Sequence, residues 1–483
     1  MGYNRFIILF FVEDYYITLV IGNRINQGSK VNMKILLIAP VKDISRKTSE
    51  IIRFPMISLL YIAAMTPREH EVSIVEEETE TLDFNTDCDF VGITCMTATA
   101  PRAYTIAAEF RKRGKKVVLG GIHPTVLPHE AKIHCDSVIT GEAEPVWEKV
   151  LIDFENGCLQ DYYHGEVAGN LNEYPLPRRD LIKPGTVLGM EPIVTSRGCP
   201  YSCEFCSVWK FFGRRIRHVS VENVIKDIQN SKSSRFMFLD DNIVGDPIYA
   251  RSLFLALKDM KIDWVGQASI SFSKNEELLK LAHDSGCRGL FFGVESVSEE
   301  KIKRMGKSMR SQEATIEAIK RIMSYGIFFH ASLVFGFDDD DSSVFDETLE
   351  FLHKTKIPSA TFNILTPYPG TDIYHQLKTQ NRLITEDWKF YDHCTVTYHP
   401  KKMTIDELYE GYQYVKRNYY SLGRIINRFP ASIKNPLIFT IANLGLKKGL
   451  KEEKKTIREN LYKLHSMIEE QVRMNTGYLP SKS

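Results

Sequence analysis

The chain has 483 residues, 43% hydrophobic and 25% charged, with 62 Lys and Arg against 61 Asp and Glu and a net charge of +1. That length suits two or three domains, the composition is that of an ordinary soluble protein, and the balanced charge excludes a global electrostatic pull toward nucleic acid. Nine cysteines, an odd number with three close together, exclude a secreted disulfide scaffold and point to a reducing compartment such as the cytoplasm.

Residues 1–32 contain FIILFFVEDYYITLVIG, interrupted by Glu13 and Asp14. The run is too short and too broken for a spanning helix, and it lacks the clear basic start and cleavage site of a signal peptide. Met33 opens MKILLIAP, a clean first strand. Residues 1–32 are therefore expected to be an upstream extension or a disordered leader, with Met33 the natural start.

Residues 33–165 alternate short apolar runs with helical patterns. Strands are expected at 33–39, 71–76, 89–94, 116–121 and 137–140, and helices at 57–65 and 101–114. Pro101 marks the start of the second helix and Gly114 its end. This alternation predicts a doubly wound parallel sheet, whose ligands bind beyond the carboxyl ends of its strands. The loops there read TCMTATAP, GGIHPTVLPHE and GEAEP. Gly120 and Gly121 permit close backbone approach, Thr94, Thr97 and Thr99 offer hydroxyls, His123 lies in the second loop, and Gly141 and Glu142 open the third. The plainer alternative is that the glycines only make turns. No G-x-G-x-x-G follows the first strand, which argues against a dinucleotide site.

Residues 166–190 carry Pro175, Pro177 and Pro184 and read as a linker. A second strand-helix series fills 191–400, with strands expected at 193–196, 235–240, 264–269, 289–294, 328–336 and 360–365 and helices at 275–286 and 311–326. Six strands fall short of a closed eight-stranded barrel, and parallel barrels place chemistry at strand carboxyl ends. The first strand runs into Cys199. The second ends in Asp240, Asp241 and Asn242, the third in Gln267 and Ser269, the fourth in Gly293, Glu295 and Ser296. The structural alternative is a set of salt bridges and helix caps. The run Asp338 to Asp341 is expected as exposed charge at a helix start. Residues 401–483 form a helical C-terminal region, where Tyr409, Tyr412, Tyr414, Tyr419 and Tyr420 suit core packing. The basic stretch 447–463 suits a solvated helix face; peripheral membrane contact is the alternative.

The stretch CPYSCEFC places Cys199, Cys203 and Cys206 in a C-x3-C-x2-C spacing. Three thiolates on one loop can hold three irons of a [4Fe–4S] cluster, leaving the fourth iron as an open, reactive position. A zinc site would want four ligands, and no second C-x2-C pair is present. With Phe205 before the last cysteine, the motif resembles the signature of the radical S-adenosylmethionine (radical SAM) superfamily. GGIHP and GEAE upstream look like the cobalamin-binding domain of B12-dependent radical SAM proteins. The resemblance runs from about Met33 to about Pro400.

The resemblance implies an α/β protein. A Rossmann-like, flavodoxin-like B12-binding domain would precede a (β/α)6 partial TIM barrel and the helical C-terminal region. It implies a [4Fe–4S] cluster, SAM and cobalamin as cofactors. Glu295, in FFGVES, matches the acidic residue that holds the SAM ribose. Asp240, Asp241, Ser269, Ser296 and Phe205 are further candidates around SAM, and Thr94, Thr97, Gly120, Gly121, His123, Gly141 and Glu142 around cobalamin. One element departs: D-x-H-x-x-G is absent after the first strand, where the sequence reads PVKDISRKTSE. Cobalamin is then expected without a protein His on cobalt, with His123 as a loop or pocket residue. The implied activity is reductive SAM cleavage with methylation of an unreactive carbon of a small molecule or lipid, driven by a donor such as flavodoxin or ferredoxin. The rivals are a non-methylating cyclisation, oxidation or rearrangement, and a non-catalytic cofactor sensor. A methylthiotransferase is disfavoured because Cys88, Cys95, Cys135 and Cys158 are scattered.

Overall fold

Apolar strands and the helices between them assemble into two parallel sheets. A computed structural model describes residues 32–42, 55–167, 169–183, 190–297 and 311–429, with shorter stretches between 436 and 468. The first sheet has the order β2-β1-β3-β4-β5-β6, with β1 Lys34–Ala39, β2 Glu71–Glu76, β3 Phe90–Thr94, β4 Lys116–Gly120, β5 Ser137–Gly141 and β6 Tyr162–Gly165. Strand β1 pairs with β2 on one side and β3 on the other. Strand order therefore reverses there, and a crevice opens above the carboxyl ends. Residues Ile35 to Ala39 are all buried, as a central parallel strand covered on both faces requires. Ala103, Ile106, Ala107 and Phe110 of the helix Ala100–Lys112 cover one face. Leu59, Leu60 and Ala63 of Ile57–Met65 and Trp147, Val150 and Leu151 of Glu144–Glu155 cover the other.

The second sheet has the order β14-β13-β12-β11-β10-β7. Its strands are β7 Met190–Ile193, β10 Arg235–Phe238, β11 Asp263–Ala268, β12 Cys287–Glu295, β13 Phe328–Phe335 and β14 Ser359–Ile364. Each pairs in parallel with the next, and β7 and β14 stay apart at the edges, so this is an open six-stranded partial barrel. Between β7 and β10, β8 Ser196–Arg197 and β9 Arg217–His218 form a small antiparallel hairpin around the three-cysteine loop.

Several local expectations change. The strand expected at 193–196 leaves the sheet after Ile193, because the hydroxyls of Thr195 and Ser196 donate to Asp240 at 2.7 and 2.5 Å. GGIHPTVLPHE is two short helices, Ile122–Val126 and Pro128–His134, rather than open loop. Strand β6 escapes the sequence pattern because it is only four residues long and carries Tyr162, Tyr163 and His164 in place of an apolar β-branched run. The acidic run is not wholly exposed. Asp340 is buried and accepts from the Gly336 and Phe337 amides at 2.8 and 2.9 Å, and Asp338 pairs with Arg382 at 2.8 Å and Lys401 at 2.6 Å. The C-terminal region begins with the helix Ile405–Tyr419, closed by a Thr404–Glu407 capping box. Tyr409, Tyr412, Tyr419 and Tyr420 are buried, and Tyr414 is exposed. The leader and most of 447–463 lie outside the described residues. Among the described residues no helix is long and apolar enough to cross a membrane.

The two sheets share a core. Tyr374, Trp388 and Tyr391, beyond β14, pack in one cluster with Ala103, Ile106 and Phe110 of the first domain. Trp388 Nε1 donates to Glu130 at 2.8 Å, and Lys42 pairs with Asp392 at 2.5 Å.

Candidate active site

The carboxyl ends of both sheets line one cavity that opens to solvent. From the first sheet come Thr94, Gly120, Gly121, Gly141 and Glu142; from the second domain come Ser196, Arg197, Leu239 and Asp241. Apolar walls are added by Leu37, Tyr61, Trp147, Phe211 and Phe212. Gly121 has φ +107, and a Cβ there would come within 2.9 Å of the Cys95 carbonyl. Gly141 has φ +75, and its Cβ would meet the Gly165 carbonyl at 2.0 Å. Only glycine suits these two turns, and they leave bare backbone on a wide apolar floor. That cradle fits a large flat cofactor such as a corrin.

A second cavity is lined by Cys199, Cys203, Cys206 and Phe205 and by Gln267, Ser269 and Glu295. Asp241 lines both cavities. The cysteine loop is tightly turned: the Cys206 amide donates to the Cys203 carbonyl at 3.1 Å, which also accepts from Trp209 Nε1 at 2.9 Å. Among the described residues no three His, Cys, Asp or Glu side chains converge where a single ion could sit. Three thiols spread around one cavity suit a cluster that takes one thiolate per iron.

Glu295 ends β12 with φ +62, just after a register shift between Gly293 and Glu295. A non-glycine residue in this region is uncommon and collects at functional sites. Ser269 caps the turn Ile270–Lys274 and lies 3.4 Å from the Tyr201 hydroxyl. Phe205 packs edge-on against Phe337. Burial pushes the Asp241 carboxyl up to about 6, and the neighbouring Asp240 carboxylate adds to the effect.

Other sequence candidates sit elsewhere. Asp240 is fully buried, takes three hydrogen bonds from Thr195 and Ser196, and lines neither cavity; it anchors the strand that leads into the cysteine loop. Ser296 is buried, its amide donating to the Val294 carbonyl at 2.8 Å, and lines neither cavity. Thr97 is buried in the turn Thr97–Thr99, 3.4 Å from His123 Nδ1. His123 is fully buried, with Nε2 3.0 Å from the Tyr104 hydroxyl and 3.3 Å from Glu130, and its ring meets Trp388 edge-on. Thr97 and His123 thus belong to the interface with Trp388 and line neither cavity.

Sequence reasoning missed two arginines. Arg217 makes a two-pronged pair with Glu142 at 2.6 and 3.0 Å, and Arg197 pairs with Glu144 and lies 3.4 Å from Glu142. Burial alone would lower the Arg197 guanidinium; the carboxylates of Glu144 and Glu142 outweigh it and hold it above its ordinary range. The available signal was the pair of acids in GEAE, facing inward beside a cavity.

A six-stranded partial barrel with a three-cysteine loop, joined to a doubly wound sheet with a glycine cradle, defines a protein built for two cofactors at facing sheet ends. Residues 193–352 match the Radical SAM superfamily and residues 53–151 the B12 binding domain family. The chain is 30% identical over 420 residues to the bacteriochlorophyllide d C-12(1)-methyltransferase of Chlorobaculum tepidum, covering 83% of this chain and 90% of that protein. It is 26% identical over 350 residues to the hopanoid C-2 methylase of Rhodopseudomonas palustris, covering 69% and 66%. The fold matches that of the radical SAM methyltransferase TsrM from Kitasatospora setae, solved with cobalamin and a [4Fe–4S] cluster, at a TM-score of 0.63, 14% identity, and coverage of 89% of this chain and 100% of that one. The chain belongs to the B12-binding radical SAM methyltransferase family. Its cofactors are accordingly a [4Fe–4S] cluster, SAM and cobalamin.

Proposed function

We propose that the chain methylates an unreactive carbon of a small-molecule or lipid substrate, with SAM in the cysteine-lined cavity and cobalamin in the glycine-floored one. The observation that carries this reading is that Asp241 lines both cavities, so the two open on a common point. When bound, the cluster supplies the electron that cleaves SAM to a hydrogen-abstracting radical, and cobalamin supplies the methyl group.

The chain's own residues place and shield these groups. Cys199, Cys203 and Cys206 would hold the cluster through three thiolates, leaving one iron open to SAM. Glu295, which lines the same cavity, would accept from both ribose hydroxyls, a strong charge-assisted arrangement. Asp241, which lines the same cavity, would offer an acceptor to an N–H of the SAM amino group. Bare backbone at Gly121 and Gly141 lets a corrin approach closely, while Trp147, Phe211 and Phe212 exclude water. Among the described residues lining this cavity none is a histidine, which supports cobalamin bound without a protein nitrogen on cobalt. The relatives' names give a bacteriochlorophyllide and a hopanoid as substrates, which supports a small-molecule or lipid substrate here. An external electron donor such as flavodoxin or ferredoxin would complete the system.

The test is an anaerobic assay with methyl-labelled SAM and the substrate suggested by neighbouring genes. Each turnover should consume two SAM molecules, giving both 5′-deoxyadenosine and S-adenosylhomocysteine with label in the product. Deoxyadenosine and a modified product without label transfer would overturn methyl transfer.

A further inference from the structure

Four charged side chains meet where the two domains touch. Glu142 and Glu144 belong to the loop and helix start after β5 in the first domain; Arg197 and Arg217 are the paired positions of the β8–β9 hairpin in the second. Glu142, Glu144 and Arg217 are buried, and the Arg197 side chain is 13% exposed. Arg217 grips Glu142 with both terminal nitrogens and also donates to the Phe212 carbonyl at 3.3 Å, inside the cysteine loop. Arg197 pairs with Glu144, approaches Glu142, and lies over the rings of Tyr61 and Phe212 at 5.8 and 5.9 Å. One of those rings comes from each domain, and both line the cobalamin cavity.

Two carboxylates and two guanidiniums cancel in charge, which is the condition under which buried ions are tolerated. A well-packed apolar contact would often hold two domains at least as firmly. What the ions add is geometry: a two-pronged guanidinium–carboxylate pair such as Arg217–Glu142 is directional, which an apolar contact is not. The location gives that geometry a consequence. The hairpin closes the base of residues 198–216, which include all three cysteines, and Arg197 is two residues from Cys199. On its other side the same strand is tied to its own barrel through Thr195, Ser196 and Asp240. The carboxylates are equally fixed, since Gly141 and Gly165 lock the backbone around Glu142 by close approach.

We propose that Glu142, Glu144, Arg197 and Arg217 are positioning residues whose buried ion cluster clamps the cysteine loop to the cobalamin domain and so sets the separation between the iron–sulfur cluster and the cobalt. The proposal rests on the cofactor placement given above. In it, the second and fourth residues of GEAE act on the iron–sulfur loop rather than on cobalamin itself.

The experiment compares the full chain with Glu142→Gln, with Arg217→Gln, and with the double variant that leaves no unpaired buried charge. Two readouts are taken. In the cofactor-free protein, hydrogen exchange is followed in peptides covering 196–218. In the loaded protein, pulsed electron paramagnetic resonance measures the dipolar coupling between the reduced cluster and cob(II)alamin, alongside iron and cobalamin content. The expected result is exchange at least tenfold faster in the hairpin and a broadened or shifted dipolar distance, with cofactor contents retained. Unchanged exchange and an unchanged distance overturn the proposal, as does a double variant that restores both to the original values. Where a single variant fails to fold, the double variant decides. A parent protein that takes up no cobalamin or no iron would refute the cofactor placement instead, and hydrogen exchange still decides the clamp.

Discussion

Among the described residues, Cys199, Cys203 and Cys206 are the thiols that line the second cavity. Removing one leaves two thiolates for a cluster that needs three. Replacing any of them by Ala should remove most of the iron and abolish deoxyadenosine formation from SAM; full iron and activity in the triple variant would refute the assignment. His330 carries a different residue-scale prediction. It lies fully inside the barrel wall on β13, its nitrogens 3.1 Å from Ser359 Oγ and 2.7 Å from Thr361 Oγ1. Burial pushes its pKa down from 6.5 to about 4. The folded value lies below the unfolded one, so the unfolded chain takes up the proton first as pH falls. The contribution of neutral His330 is complete above the unfolded value and is lost progressively between 6.5 and about 4. Between pH 7 and pH 5 the loss is about 2 kcal/mol. Denaturant midpoints at those two pH values should fall more in the parent than in His330→Gln. Equal falls would mean that His330 does not titrate in this window.

At the scale of elements, the turn after β4 illustrates how backbone conformation builds a site. Gly121 needs φ +107 and sits against the Cys95 backbone, with its Cβ position 2.9 Å from the carbonyl and 3.0 Å from the amide. Gly114 also has positive φ, +74, but nothing lies within 4 Å of its Cβ position. Gly114→Ala should therefore cost only conformational strain, ~1 kcal/mol. Gly121→Ala adds a backbone clash that must move the loop, and should cost ~1–3 kcal/mol and lower the cobalamin retained after desalting, read from its visible absorbance. Equal cobalamin retention in the two variants would show that the β4 turn does not shape the cavity floor.

At the scale of the molecule, the two domains are joined by packing as well as by charge. Trp388 is 7% exposed within the core cluster shared by both domains, and its indole nitrogen donates to Glu130. Glu130 also receives Tyr104 at 2.9 Å and the His123 ring nitrogen at 3.3 Å. Trp388→Ala should cost ~3–5 kcal/mol through the cavity it leaves. Because the loss falls at the junction, calorimetry should show the unfolding transition moving down and separating into two. A single transition at the original temperature would mean that the junction contributes little to stability.

The sequence by itself determined what is local. The three cysteines are legible because their ligand spacing lies within one loop, and the parallel strands are legible because strands covered on both faces must be continuously apolar. The glycine turns were legible as close-approach points, though not what approaches them. Tertiary structure alone decided the direction of side chains and the identity of distant partners. Asp240 and Asp241 are adjacent just past the end of β10, yet Asp240 is buried against Thr195 and Ser196 while Asp241 lines both cavities. His123 closely follows the cavity-lining Gly120 and Gly121 in sequence, but the helical turn of Ile122–Val126 carries its ring toward Tyr104 and Trp388. Arg217 and Arg197 lie 75 and 53 residues from the glutamates they grip, with nothing in the intervening chain to relate them. Only the docking of one sheet's carboxyl ends onto the other brings those charges together, since a buried charge finds its partner through the fold and not through the spacing of the chain.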